Sequence, residues 1–329
     1  MLAAQNLPVF ADIEHAAQRI QGEAVLTPLL ENVKLNALTG GRVFIKAENL
    51  QRTGSFKFRG AWNCISKLDP AVNAGGVVAY SSGNHAQGVA AAAQLRGIPA
   101  LIVMPEDTPE IKKANTKSYG AEVVTYDRAT ESREEIANYY VAKRGAVLVP
   151  PFEHADIIAG QGTCGLEIIA ALAGLGVELD DMLVNCSGGG LTAGIALAFS
   201  EKSPKTKVHS VEPEGFDDYA RSLRSGVREQ NPRSSGSICD ALLAPQPGEM
   251  SFAMNNGRLA EGYAVSEAEV RRAMRFAFET LKLVVEPGGA AGLAAVLSGK
   301  LATKGRTIGI VLSGGNVDPK LYAEILMAA

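Results

Sequence analysis

The chain has 329 residues, of which 47% are hydrophobic and 20% charged, and its formal net charge is −3. This length allows two domains of ordinary size, and the composition is that of a globular protein. The small negative charge and the scattered basic residues exclude the electrostatic surface of a nucleic-acid-binding protein or of a protein held on an anionic membrane. We therefore expect a small-molecule ligand.

The N-terminal region is expected to carry no targeting signal. It reads MLAAQNLPVFADIEHAAQRIQG, without a basic start followed by a long apolar run, and we expect no membrane-spanning run elsewhere. The cysteines Cys64, Cys164, Cys186 and Cys239 are far apart and show no CxxC spacing. This pattern is typical of neither a disulfide framework nor a zinc site, so we expect a cytoplasmic protein.

From about residue 42, short β-branched runs alternate with helical segments. The runs are RVFIKAE, GVVAYSS, ALIVMP, EVVTYD, AVLVP, MLVNCSGGG, KVHSVEP and TIGIVLSGG. Strands that are apolar nearly throughout, separated by helix-length segments, are typical of parallel sheets covered by helices on both faces. The sequence therefore predicts an α/β fold with open, mostly parallel, twisted sheets.

The spacing of the runs also predicts two domains. Four runs between Gly76 and Pro150 are evenly spaced, which is enough for a small open-sheet domain inserted within a larger one. We predict a small domain at residues 76–150 and a large domain formed by residues 1–75 and 151–329. The segment GVREQNPRSSGS, at 226–237, is expected to be an exposed loop.

Three predicted strands end in turns of small residues. The turns are AYSSGNHAQG at 79–88, NCSGGGLTAG at 185–194 and VLSGGNVD at 311–318. Ligands bind at the carboxyl ends of parallel strands, because glycine turns let backbone amides approach and the next helix presents its N-terminus. In the second turn Gly188, Gly189 and Gly190 precede a helix expected near Leu191, which favours a bound phosphate over a plain tight turn.

The same turn permits a second interpretation. Gly188, Gly190 and Ala193 fit the loose dinucleotide-binding pattern, and Glu212 follows where a ribose-binding acid would lie. An NAD-dependent oxidoreductase is therefore an alternative. It gives no role to the other two turns or to Lys57 in NLQRTGSFKFRGA, whereas a phosphate-bearing cofactor joined covalently to that lysine uses all four features.

Five motifs carry a family resemblance: SFKFRGA, SSGNHAQGVA, SGGGLTAGIA, EPGGA and VLSGGN occur in this order. Together they resemble the fold type II pyridoxal-phosphate enzymes, specifically the serine/threonine dehydratase and serine racemase branch. The resemblance extends from about Thr27 to Asp318, and the combination of motifs is highly specific. It implies the tryptophan synthase β-like fold with two sheets, pyridoxal 5'-phosphate as the cofactor, and a homodimer.

The resemblance implies a role in cofactor binding for several residues. Lys57 would bind the cofactor covalently through a neutral amine, and a partly desolvated pocket lowers a lysine pKa in that direction. Phe56 would pack on the cofactor ring, and Asn84 would bond its 3-hydroxyl. Ser313 would face the pyridine nitrogen, where a neutral hydroxyl makes a weaker electron sink than an aspartate and so favours elimination. The phosphate would be bound by the backbone amides of Gly188, Gly189, Gly190 and Leu191.

The resemblance also places the substrate carboxylate at the start of a helix in the small domain, where a helix N-terminus suits an anion. The residues implied are Ser81, Ser82, Gly83, Asn84 and His85. Arg133, in ESREE, lies roughly where a racemase arginine reaches a second carboxylate, although a solvated surface charge fits equally well. Ser82 lies where this branch has a second proton donor opposite the lysine; the alternative is a helix cap.

A divalent metal is also implied. Glu212, Asp218 and the carbonyl of Phe216 match the metal ligands of this branch, and hard oxygen donors suit Mg²⁺, Ca²⁺ or Mn²⁺. Acidic residues after a strand also occur simply as helix caps. The sequence departs from the family pattern at Asp240-Ala241, where relatives usually carry Asp-Gly. It ends about ten residues after the last motif, so we expect no C-terminal regulatory domain.

These observations predict a cytoplasmic pyridoxal-phosphate-dependent ammonia-lyase. It would convert a small β-hydroxy amino acid, such as serine, threonine or 3-hydroxyaspartate, to a 2-oxo acid and ammonia. Lys57 would remove the Cα proton, and the small domain would close over the substrate. An amino-acid racemase is the nearer alternative and the NAD oxidoreductase the more distant one.

Overall fold

Two β-sheets with helices on both faces form the framework of the chain. A computed structural model describes residues 7–108, 110–127 and 129–328. The strands are β1 (Leu29–Glu31), β2 (Arg42–Ala47), β3 (Val77–Tyr80), β4 (Ala100–Pro105), β5 (Glu122–Tyr126), β6 (Val147–Leu148), β7 (Asp181–Asn185), β8 (Lys207–Pro213), β9 (Leu259–Val265) and β10 (Thr307–Leu312). The helices are α1 (Phe10–Ile20), α2 (Val33–Thr39), α3 (Lys57–Ile65), α4 (Asn84–Arg96), α5 (Glu110–Ser118), α6 (Arg133–Arg144), α7 (Ala155–Gly174), α8 (Gly190–Lys202), α9 (Asp218–Ser225), α10 (Glu249–Asn255), α11 (Glu267–Phe276), α12 (Ala291–Leu297) and α13 (Pro319–Met327).

The larger sheet has the strand order β1-β2-β10-β7-β8-β9. Only its first pair, β1 with β2, is antiparallel; the other pairs are parallel. One face packs against α11 and α12 and the other against α7 and α8, so the central strands are apolar over nearly their whole length. The prediction of an α/β fold with mostly parallel sheets is confirmed.

The smaller sheet has the order β5-β4-β3-β6 and is parallel throughout. Its faces are covered by α3 and α4 on one side and by α6 on the other. All four of its strands lie within the segment 76–150. The division into a small domain and a large domain stays a prediction.

Helix α7 is the central helix of the fold. It packs on α1, α3 and α8, and glycines allow the close approach: a Cβ on Gly160 would lie 2.6 Å from the Cα of Gly60 in α3. By length and composition α7 could cross a membrane, which the sequence analysis did not anticipate. Since 61% of its most apolar window is buried within the protein, it has the surroundings of a core helix.

A buried ion cluster fixes the position of α3. The guanidinium of Arg59, fully buried, donates to Glu48 at 2.8 Å and to Glu167 in α7 at 2.6 and 2.7 Å. Lys46 in β2 donates to the same Glu167 at 2.6 Å. Buried charges are tolerated only when they are paired and hydrogen-bonded in this way. The cluster ties α3, and with it Lys57 at the start of that helix, to both β2 and α7.

Candidate active site

The three turns of small residues meet in the cleft between the two sheets. In the first turn, Asn84 Oδ1 accepts a hydrogen bond from Asn316 Nδ2 of the third turn at 2.8 Å. Asn185, at the end of β7, donates through Nδ2 to Ser313 Oγ at 2.9 Å, which joins the second turn to the third. The carboxyl ends of β3, β7 and β10 therefore surround a single site, as expected for ligand binding at parallel strands.

Lys57 is held at this site by its neighbours along the chain. Ser55 forms a β-bridge with Gly314, and the Phe56 amide donates to the Ser313 carbonyl at 3.1 Å. The Lys57 amine donates to the Pro151 carbonyl at 2.9 Å and lies 5.2 Å from the Phe56 ring centroid. Burial lowers the pKa of Lys57 to about 8, although the charge of Glu286 acts in the opposite direction. A substantial fraction of this amine is neutral near physiological pH, as nucleophilic chemistry requires.

Glu286 belongs to the site, although the sequence analysis gave it no role. Its Oε1 accepts from Asn84 Nδ2 at 2.5 Å, and a Cβ on Gly314 would lie 2.1 Å from that oxygen. Burial, followed by the charge of Asp240, raises the pKa of Glu286 to about 7. In the sequence it is the acid of the EPGGA motif, at the end of the apolar run LKLVVEPGGA, but no contact of that acid is visible there.

The glycine turn after β7 has the shape of a phosphate cradle. Gly189 has φ +95° and precedes α8, and a Cβ there would lie 2.3 Å from the Tyr219 hydroxyl. A Cβ on Gly188 would lie 2.5 Å from the ring of Phe152. The side chain of Leu191 is buried, so the group that this residue can offer to a phosphate is its backbone amide. These rings pack so closely on the turn that only glycine fits, and the glycine backbone at the start of a helix of thirteen residues is suited to bind a phosphate group.

Ser313 suits an uncharged ring nitrogen. It is buried, and its Oγ accepts the hydrogen bond from Asn185 described above. Because a hydroxyl carries one donor and two acceptor sites, its proton stays available for an acceptor such as a pyridine nitrogen. The residues predicted to bind the cofactor thus lie together: Lys57, Phe56, Asn84, the glycine turn and Ser313. Their chemistry fits pyridoxal phosphate.

The segment from Ser81 to His85 forms the start of α4. The Gly83 amide donates to Ser81 Oγ at 3.2 Å, and Ser82 is half-buried beside it. His85 Nε2 lies 2.9 Å from the Val149 carbonyl, and burial, followed by the charge of Lys57, lowers the pKa of His85 to about 3. A neutral His85 that donates to this carbonyl has no second N–H donor for a substrate.

Arg133 lies at the start of α6 and near Tyr80, the residue directly before Ser81. Its guanidinium pairs with Glu134 at 2.7 Å and lies 5.1 Å from the centroid of the Tyr80 ring. Its side chain is 38% exposed. The described contacts of Arg133 do not include the Ser81–His85 segment itself, and its implied role in binding a second carboxylate stays a prediction.

Two of the predicted metal ligands, Glu212 and Asp218, are neighbours beside Tyr219, which packs on the glycine turn. Glu212 is fully buried and accepts from the Tyr219 and Ala220 amides at 2.9 and 2.8 Å. Burial and then the neighbouring Asp218 raise its pKa well above the usual range. Asp218 Oδ2 is buried without a hydrogen-bond partner among the described residues. Two adjacent buried carboxylates with an unpaired oxygen fit a divalent cation.

These contacts also bear on the dinucleotide alternative and on the cysteines. Both oxygens of Glu212 are used by helix amides, so Glu212 does not face the glycine turn as a ribose-binding acid would.

Burial raises the pKa of Cys186 well above its usual range, which makes this thiol unreactive. Cys64, His154 and Asp156 place ligand atoms within 4.8 Å of one another, a grouping that the sequence spacing did not reveal.

Comparison with known proteins agrees with this geometry. Residues 20–314 match the family model described as "Pyridoxal-phosphate dependent enzyme". The chain is 44% identical over 323 residues to an L-threo-3-hydroxyaspartate ammonia-lyase from Pseudomonas sp, covering 98% of this chain and 99% of that protein. It is 39% identical to a serine racemase from Schizosaccharomyces pombe, covering 97% and 98% of the two chains. The solved structure of a threonine deaminase from T.th. matches with a TM-score of 0.88 and 43% identity, covering 94% of this chain and 99% of that one.

Proposed function

This chain belongs to the pyridoxal-phosphate-dependent enzyme family, and we propose from its site that it is an ammonia-lyase for β-hydroxy amino acids with a preference for 3-hydroxyaspartate. The observation that carries the proposal is the position of the Lys57 amine. It is a partly buried amine with a depressed pKa, beside a glycine cradle and at the carboxyl ends of three strands. The preference for 3-hydroxyaspartate is supported by the 44% identity to the Pseudomonas enzyme over almost the full length of both chains.

The residues divide the chemistry among them. Pyridoxal phosphate, when bound, withdraws electrons from the Cα of an amino acid. We propose that the amides of Gly188, Gly189 and Gly190 hold its phosphate, while Phe56 and Ser313 contact its ring. The neutral Lys57 amine keeps a lone pair while it donates to Pro151, so it can accept the Cα proton. Loss of that proton and of the β-hydroxyl as water, followed by hydrolysis, yields a 2-oxo acid and ammonia.

We propose that the start of α4 binds the α-carboxylate of the substrate. The free amides of a helix N-terminus and the helix dipole favour an anion there. Ser81, Ser82, Gly83 and Asn84 supply this surface, whereas His85 holds it against Val149. The segment belongs to the proposed small domain and Lys57 to the large one, so a movement of the small domain would close the substrate against Lys57.

We further propose Mg²⁺ between Glu212 and Asp218, with the Phe216 carbonyl as a third ligand, and Ca²⁺ or Mn²⁺ as substitutes. The unpaired Asp218 Oδ2 supports this assignment. The cation would support the helix α9 that packs Tyr219 against the glycine cradle. A homodimer in the cytoplasm is proposed from the family resemblance.

The function is tested by measuring 2-oxo acid release from L-threo-3-hydroxyaspartate, L-serine, L-threonine and L-phenylserine. We expect oxaloacetate and ammonia in equal amounts from the first, with the highest kcat/KM of the four. If a protein loaded with pyridoxal phosphate released no 2-oxo acid from any of them, the ammonia-lyase assignment would be wrong. Tight NADH binding by a colourless protein would instead favour the oxidoreductase.

Racemisation is a second candidate activity, supported by the half-buried Ser82 and by the identity to a serine racemase. Lys57 serves one face of the planar carbanion, so a racemase needs a proton donor on the other. We expect Ser82→Ala to abolish formation of the D-isomer and solvent exchange at the Cα of D-serine, while much of the dehydration of L-serine remains. If wild-type protein makes no D-isomer, or if Ser82→Ala loses cofactor together with both activities, Ser82 is structural.

A further inference from the structure

We infer that Lys112 recognises the second carboxylate of a dicarboxylic amino acid at this site; the inference rests on the proposed function. Lys112 lies in the first half of α5, in the proposed small domain. Its Nζ is 3.8 Å from the position that a Cβ on Gly83 would occupy, and among the residues that the structure describes no other atom outside the glycine's immediate neighbours lies within 4 Å of that point. Gly83 directly precedes α4, where we propose that the α-carboxylate binds. An ammonium group therefore lies within a short side chain's reach of the proposed α-carboxylate.

Asp240 holds this ammonium group across the cleft. Lys112 Nζ donates to Asp240 Oδ2 at 2.6 Å, and the two residues are separated by 128 positions in the sequence. The side chain of Lys112 is 13% exposed and that of Asp240 is 51% exposed. Solvent at the exposed Asp240 carboxylate screens the pair and weakens it, and an ammonium has three donors. A substrate carboxylate can therefore share Lys112 with Asp240 or replace Asp240 at little cost.

The surrounding charges make a cation necessary for such a substrate. Glu286 lies deeper in the cleft, where the charge of Asp240 raises its pKa and the charge of Lys112 lowers it. A second carboxylate entering this region would meet two acidic side chains. Lys112 is the group that offsets their repulsion, whereas serine and threonine, which lack the second carboxylate, need no such counter-ion. Selectivity for a dicarboxylic substrate would thus come from one positive charge set among negative ones.

Arg133, which the family resemblance suggested for this role, has other contacts. It is paired with Glu134 and stacked on Tyr80, and none of its atoms is within 4 Å of the Gly83 position. Lys113 offers a matched control because it follows Lys112 directly on α5. Its ammonium donates instead to Glu110 and to the Glu106 carbonyl. Replacing Lys113 removes the same charge from the same helix without touching the Gly83 position.

The experiment compares two ligands of equal chain length, succinate and butyrate, on the holoenzyme. Binding is followed by the absorbance and fluorescence of the bound cofactor, which report ligand entry without turnover. We expect wild-type protein to bind succinate more tightly than butyrate. Lys112→Met should raise the Kd of succinate about tenfold or more, because it loses a charged hydrogen bond, and should leave the Kd of butyrate unchanged. Lys112→Arg should retain most succinate binding, and Lys113→Met should resemble wild type.

Three results would overturn the inference. In the first, wild type and Lys112→Met bind succinate with the same Kd. In the second, Lys112→Met raises the Kd of succinate and of butyrate equally. In the third, Arg133→Met loses succinate binding and Lys112→Met does not. The proposed function is tested separately by turnover. Selective loss of succinate binding with no turnover of 3-hydroxyaspartate would refute the function and keep the inference. Turnover of 3-hydroxyaspartate by wild type, with unchanged succinate binding in Lys112→Met, would support the function and refute the inference.

Discussion

The depressed pKa of Lys57 predicts how fast the cofactor-free protein attaches pyridoxal phosphate at different pH values. Its pKa is about 8, compared with an ordinary value of 10.5. This difference corresponds to roughly 3 kcal/mol between the two protonation states. At about pH 7, roughly one amine in ten is then neutral, against about three in ten thousand for an ordinary lysine, so attachment should be faster than at an ordinary lysine. The neutral fraction rises about tenfold per pH unit and levels off above the pKa.

The assay is stopped-flow absorbance of cofactor attachment from about pH 6 to about pH 10, with competitive acetylation of Lys57 as a cofactor-independent measure of the amine pKa. We expect both midpoints to lie close to the Lys57 pKa of about 8. Glu286→Gln should move them to lower pH, because the Glu286 charge raises the pKa of Lys57. Glu279→Gln, at an exposed position, is the control. A midpoint near that of a free lysine, or an upward shift in Glu286→Gln, would refute the reasoning.

Further predictions concern the cradle, the core and the metal. Gly189→Ala should weaken cofactor binding about tenfold or more in equilibrium dialysis, because this position has φ +95° and the new Cβ would lie 2.3 Å from the Tyr219 hydroxyl. Gly257→Ala is the control, since that position has φ +87° but open space around it, and it should leave cofactor binding unchanged. Arg59→Met leaves the buried carboxylate of Glu48 without an ion-pair partner, while Glu167 keeps Lys46, and should lower the free energy of unfolding by about 3–5 kcal/mol in urea; unchanged stability would contradict the buried cluster. Chelation should lower the Tm of wild-type protein and Mg²⁺ should restore it, while Asp218→Asn should have the same Tm in both conditions. An identical Tm for chelated and Mg²⁺-loaded wild type would exclude the metal site.

The apolar strands were predictable because burial on both faces leaves a continuous hydrophobic run, as in β7 and β10. Two strands of the large sheet were not predicted. Strand β9, LAEGYAV, lies at the sheet edge with exposed positions at Ala260 and Glu261, so its pattern is interrupted. Strand β1 has only three residues and pairs antiparallel with β2. Edge position and short length remove the signal on which the prediction depended.

The candidate site divides in the same way between local and distant contacts. The glycine cradle and the Lys57 segment follow from residues adjacent in the sequence, so their motifs were visible there. The bond between Asn84 and Glu286 joins positions 202 residues apart, and the pair of Lys112 with Asp240 joins positions 128 apart. No local pattern encodes such pairs, because the packing of the two sheets creates them. The same packing leaves Arg133 on Tyr80 and Glu134, which its place in the sequence did not indicate.

The attachment of the cofactor to Lys57 is tested most directly by borohydride reduction of the purified protein, followed by proteolysis and mass spectrometry. The account predicts a yellow protein whose absorption is lost on reduction, with the phosphopyridoxyl mass on the peptide that contains Lys57. It also predicts no such adduct at any lysine in Lys57→Ala. An adduct on another lysine of the wild-type protein, or a protein that takes up no pyridoxal phosphate, would contradict it.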